Sequence, residues 1–239
     1  MVIKKLWSKF KRDNTLGRVV RNSGLLFISN AISAVISIVT ANILGVASFG
    51  ALGIIITFVS SVNRLLSFRM SELVVRYMGE YVEKGEKEKA SAIVKAAGLS
   101  EAVTSLFAFG VLALLAPVGA TYIAKDATTA PLFFLYGISI LGLILSETST
   151  GVLQVGNFYL SQSVINLIQS IVTAVVIVFA YFSRGGITMV LWGYLAGKLI
   201  AGLGPVMIAL IRLPKILGKG WWKASMKNLP PLKDFRQPN

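Results

Sequence analysis

Lys198 is the residue whose placement says most about chemistry. Uncharged stretches of thirteen residues flank it, Gly185 to Gly197 before and Leu199 to Ile211 after. An ammonium group at that remove from every other charge, inside so apolar a run, lies near the midplane of a bilayer. It must face a protein interior or a water-filled cavity, where it attracts anions. Arg64, Glu101 and Glu147 stand in or at the edge of other apolar runs. At 1.5 Å per helical residue, Arg64 falls roughly 22 Å from the outer start of its run and Glu101 roughly 12 Å from the inner start. Arg64, Glu101 and Glu147 therefore share a depth on three segments, which predicts a buried ion pair or triad, as structural glue first and as a gate second. Arg64 is also long enough to snorkel to the inner headgroups. Gln162, Asn166, Gln169 and Thr173 recur at four, three and four residues, one face of a helix. An amide row of this kind needs water, a ligand or other helices as neighbours, and lipid is excluded.

The 239 residues contain no Cys and no His, which removes thiol nucleophiles, disulfides, Cys/His zinc sites and Ser-His-Asp triads together. No enzyme activity, metal or cofactor is expected.

The elements that position these residues follow from composition. Hydrophobic residues make up 55% and charged residues only 14%, a membrane-protein balance. The charges also cluster: Asn22–Asn63, Ala102–Ala124, Ala127–Ser146 and Thr148–Ser183 carry none, and the first of these runs is long enough for two spans. The fold class expected is all-α, a polytopic bundle of six membrane helices, with spans over about 23–45, 49–68, 93–116, 131–153, 157–182 and 187–211. A net charge of +14 points to nucleic acid in a soluble protein, but here its location decides. Seven basic residues precede the first span (within 1–22) and seven follow the last (within 212–239), against Lys125 and Arg184 alone on the other side. The positive-inside asymmetry then puts both termini in the cytoplasm of a multi-pass protein of the cytoplasmic membrane, with no nucleic-acid partner. A cleaved signal peptide is not expected, because the first apolar run is too long and leads straight into a second.

Residues 62–95 form the one long charged interior segment, with seven Lys/Arg and five Glu. Glu72 to Arg76, Arg69 to Glu72 and Arg76 to Glu80 are at helical offsets, so residues 69–92 read as a cytoplasmic helical hairpin. Residues 1–22 read as a basic arm, either a topology signal or an amphipathic helix resting on anionic lipid through Leu6, Trp7 and Phe10. Ser29, Ser33, Ser37 and Ala41 make a small-residue stripe on span one, and Val46 to Gly50 a short outer turn. Pro131 opens span four, Gly193 and Gly197 form a close-packing pair on span six, and Pro205 is expected to kink that span. The basic tail, 213–239, reads equally as a tail, a linker or the start of a truncated part.

Two short motifs carry a resemblance. Ala41-Asn42-Ile43-Leu44-Gly45 with Phe49-Gly50-Ala51-Leu52-Gly53, and Leu73-Val74-Val75-Arg76-Tyr77 after span two, resemble the amino-terminal half of the multidrug/oligosaccharidyl-lipid/polysaccharide (MOP) exporter superfamily, within it the polysaccharide (O-antigen type) flippase family. The similarity covers most of residues 18–212. It implies one lobe of a two-lobed transporter that exports a lipid-linked oligosaccharide by alternating access in cell-envelope polysaccharide biosynthesis. The chain then works as a fragment, with a second six-span half, or as a homodimer. A polyprenyl-diphosphate carrier is anionic, so Lys198 and Arg64 become its expected attractants, and Gln162, Asn166 and Gln169 its contacts to sugar hydroxyls. Two alternatives stay open. A cation-coupled multidrug exporter of the same superfamily often carries an acidic residue in span one, and none lies between Asn22 and Asn63. The other is a non-transporting membrane scaffold subunit.

Overall fold

A computed structural model describes residues 14–229. The basic arm's Leu6, Trp7 and Phe10 and the end of the tail from residue 230 lie outside the described residues. Helix α1 runs over Asn14–Leu66; α2, Met70–Leu73, continues through a π-helical turn, Val74–Met78, into α3, Gly79–Glu83. Then come α4 (Lys87–Val118), which runs on into a π-helical turn at Gly119–Ile123, α5 (Ala130–Gly142), α6 (Ser146–Val155), α7 (Tyr159–Phe182) and α8 (Ile187–Ile216). Short 3-10 turns at Trp221–Lys223 and Met226–Asn228 follow the last helix. No strand occurs among the described residues, and five helical stretches are long and apolar enough to cross a membrane.

The first of those stretches, Val20–Leu66, is twice the length a bilayer requires, and Gly45 explains why. Its φ of 71° and ψ of 170° belong to a region open essentially to glycine alone. A straight rod would carry Leu66 roughly 55 Å beyond Ser29. Yet Ser29 bonds Ser170 on α7 at 2.7 Å, and Ser71 bonds Glu147 on α6 at 2.5 Å, two places linked through Gln162 and Thr150 within a few helical turns. The chain therefore doubles back at Gly45. The outer turn expected over Val46–Gly50 is instead helical, because one glycine supplies the whole reversal.

The fourth expected span is likewise not continuous. The stretch Ala127–Val155 breaks between α5 and α6 at Leu143–Leu145. Gly142 is held there from the other side: a Cβ on Gly202 of α8 would meet the Gly142 carbonyl oxygen at 2.1 Å, and a Cβ on Gly142 would meet Leu199 at 2.4 Å. The span six proline, Pro205, lies within α8, which remains one helix of thirty residues.

One apolar core fills the middle of the bundle around Ile55, Leu112, Phe133, Tyr136, Leu191 and Leu195, and a second lies at the charged end around Val74, Met78, Ile93, Leu153 and Leu213. Most apolar side chains lie outside both. Only 17% of the most apolar window of α1 and 28% of that of α8 is buried, and Phe27, Leu114, Phe182 and Met207 are exposed. Water would penalise so much exposed hydrocarbon, whereas helices that satisfy their own backbone polar groups are at home in lipid.

At the charged end, residues 70–83 form a helical arm that turns at Gly85, φ 75°, into the first turns of α4. Arg69 pairs with Glu72 at 2.7 Å as the spacing predicts. Glu80 pairs with Lys84, not Arg76, and the Arg76 guanidinium lies 5.3 Å from the Tyr77 ring centre. Lys84 also lies four residues from Glu80 and takes it, while the Arg76 guanidinium takes the neighbouring ring instead.

Candidate functional site

Helix α8 places Lys198 by the packing of its neighbours. Gly193, Gly197 and Gly204 lie against α7, with Val176, Thr173 and Ile165 respectively in their way. Leu199 and Gly202 lie against Gly142 at the end of α5. Leu203 and Met207 are exposed on a third side. At about 100° per residue, Lys198 falls between the α7 face and the α5 face, opposite the exposed one. The ammonium is thus turned inward. Lys198 is half-buried, and no ion pair holds it among the described residues. Arg212 follows fourteen residues later, nearly four turns, and so shares the Lys198 face; its guanidinium rests 4.6 Å from the Phe158 ring centre, in the turn between α6 and α7. Sequence reasoning counted Arg212 only as one of the basic residues after the last span; its spacing from Lys198 was the available signal.

The polar row of α7 lies beside this cation. A Cβ on Gly197 would come within 2.1 Å of the Thr173 hydroxyl and 3.4 Å of Gln169, so the absence of a side chain lets α8 sit directly on the row. Ser170, on the neighbouring face, takes the small-residue stripe of α1: it lies 2.7 Å from the Ser29 hydroxyl and 3.2 Å from that of Ser33, and Ser29 also donates to the Asn166 carbonyl at 2.9 Å. These serine contacts lock α1 to α7. Gln162 reaches the Thr150 carbonyl at 3.5 Å. The half-buried side-chain amides of Asn166 and Gln169 have no hydrogen-bond partner among the described residues, which leaves them available to water or ligand.

The acidic residues form a separate knot nearer the charged end. Both oxygens of the buried Glu101 carboxylate are engaged, accepting the backbone N–H of Glu147 at 2.8 Å and of Thr148 at 2.9 Å. These are the orphan donors of the first turn of α6, so a side chain on α4 caps a helix that starts inside the membrane segment. Ser71 donates to Glu147 on the same turn, and Gly151 lets the Ser71 carbonyl and Val74 pack on α6. Glu101 and Glu147 are therefore brought together, with Ser71 and without Arg64, which is exposed and joined to neither carboxylate by an ion pair among the described residues. No group of His, Cys, Asp and Glu that could hold a metal occurs among the described residues.

The arrangement suits the binding of a polar anion: an inward cation with free amides beside it. The family described as polysaccharide biosynthesis protein matches residues 19–237, nearly the whole chain. Searches of curated proteins and of solved structures found no match. Helical and apolar, the chain belongs to the polysaccharide biosynthesis protein family, the family of polysaccharide and O-antigen flippases within the MOP superfamily.

Proposed function

We propose that this chain is one lobe of a flippase that moves a lipid-linked oligosaccharide across the cytoplasmic membrane by alternating access, with six passes, both termini cytoplasmic, and a second lobe supplied by another half or a second copy. The observation that carries the reading is Lys198: a half-buried ammonium, with no ion pair among the described residues, turned into the bundle beside free amides. In the low dielectric of a bilayer such a charge is retained where it meets an anion or water, and a polyprenyl diphosphate supplies the anion. Gln169 and Asn166 offer donors and acceptors to sugar hydroxyls, and Arg212 lies on the same face toward the basic end, a first point of contact for the diphosphate. Arg64, exposed and without an ion pair among the described residues, is a second cation for the diphosphate. The Glu101 knot acts as structure in this reading, since its oxygens are already committed.

The test is glycan export in cells dependent on this protein. Lys198→Ala is expected to reduce surface glycan by at least tenfold with membrane insertion unchanged, and Lys198→Arg to retain part of it. Full export by both Lys198→Ala and Lys198→Met would remove the site and favour a scaffold.

A further inference from the structure

At the basic end lies a cavity of about 450 Å³ that the proposed transport does not use. That volume is within the range of about 300–1,000 Å³ typical of ligand sites. Leu145, Val152 and Val206 supply apolar walls between α4, α6 and α8, and Trp221 and Met226 form the roof. Leu99 and Leu210 stand at its edge and are 60% and 53% exposed, continuous with the apolar flanks of α4 and α8, so the mouth opens sideways toward hydrocarbon. The roof is fastened. Lys95 Nζ donates to the carbonyls of Trp222 at 3.1 Å and Ala224 at 2.6 Å, and Asn228 donates to Glu88 at 3.0 Å. Outside the roof Lys219, Lys223 and Lys227 are exposed and form no ion pair among the described residues.

We propose that this cavity holds one acyl chain of an anionic phospholipid, whose headgroup meets Lys223 and Lys227 beside the Trp221–Asn228 strap. The apolar walls and the exposed Leu99 and Leu210 at the mouth suit a hydrocarbon chain entering from the bilayer. Paired tryptophans with lysines mark a membrane interface, and each interfacial lysine favours an anionic headgroup over a zwitterionic one. The lipid would bind the last helix to the start of α4, the place where Lys95 already clips the strap.

The test uses the full chain in lipid nanodiscs with Trp7, Trp192 and Trp222 replaced by Phe, so that Trp221 alone reports. Phosphatidylglycerol with dibrominated acyl chains is expected to quench Trp221 at about a tenfold lower mole fraction than dibrominated phosphatidylcholine. Val206→Phe, which fills the cavity, is expected to abolish this preferential quenching. Lys223→Gln with Lys227→Gln should make the two lipids equivalent while leaving quenching in place, and it decides the matter if Val206→Phe does not fold. Equal quenching of the unfilled protein by both lipids would mean ordinary lipid contact and overturn the proposal. So would displacement of the quencher by a polyprenyl phosphate but not by unbrominated phosphatidylglycerol, which would assign the cavity to transported substrate.

Discussion

A single carboxylate fixes one of the bundle's internal joints. Glu101 is 3% exposed and stabilises the start of α6 because its charge lies against a helix N-terminus and both its oxygens accept backbone N–H groups. Removing it leaves two donors without partners in a place water hardly reaches. Glu101→Ala is expected to cost about 3 kcal/mol, and Glu101→Gln, which keeps one acceptor oxygen, about half of that. Thermal unfolding in detergent measures both; equal midpoints for Glu101→Ala and the parent would show that α6 is capped by something else. Depth along the sequence brought Glu101 and Glu147 to one level, and they do meet. What spacing did not convey was that the partner of Glu101 is backbone, not Arg64, because a helix end inside a span is invisible when the residues around it are all apolar.

Close approach between helices depends here on a few glycines. The contact of Gly202 with Gly142 is backbone against backbone, so neither side can give way as a flexible side chain would. Gly202→Ala is expected to destabilise by about 1–3 kcal/mol through overpacking. Gly53→Ala is the control: nothing lies within 4 Å of its added Cβ, so it should be neutral or stabilising by about 0.5–1 kcal/mol from helix propensity. A Gly202→Ala midpoint as high as that of Gly53→Ala would disprove the packing argument. The small-residue stripe of α1 and the glycine pair of α8 were both legible as faces of close contact. Their partner was not, and it proves to be α7 for both, through Ser170 and through Thr173.

For the whole molecule, the question is which ends share a side of the membrane and where water enters. The absence of native cysteine makes single-cysteine labelling clean. Ser48→Cys, beside the reversal at Gly45, and Lys125→Cys should react with an impermeant thiol reagent from one face, and Lys84→Cys and Lys219→Cys from the other. Labelling of Ser48→Cys on the same face as Lys84→Cys would contradict the doubled-back path. Lys198→Cys should react with small aqueous thiol reagents, and protection from both faces would leave a dry bundle with no route for a polar substrate. These two outcomes are independent, since one concerns the path of the chain and the other its interior.

The sequence alone determined the class of the molecule, the apolar segments, the charged segment between them and the isolation of Lys198. Each follows from composition and local order: hydrocarbon length, charge spacing and helical period act within one segment. Tertiary structure decided which way Lys198 turns, that one glycine reverses α1, that α5 and α6 are separate, and that the buried carboxylate of Glu101 serves backbone groups forty-six residues further along. Those outcomes depend on which helices become neighbours, and in a bilayer, where one apolar face resembles another, small residues and scattered polar groups set that choice only once the segments are packed together.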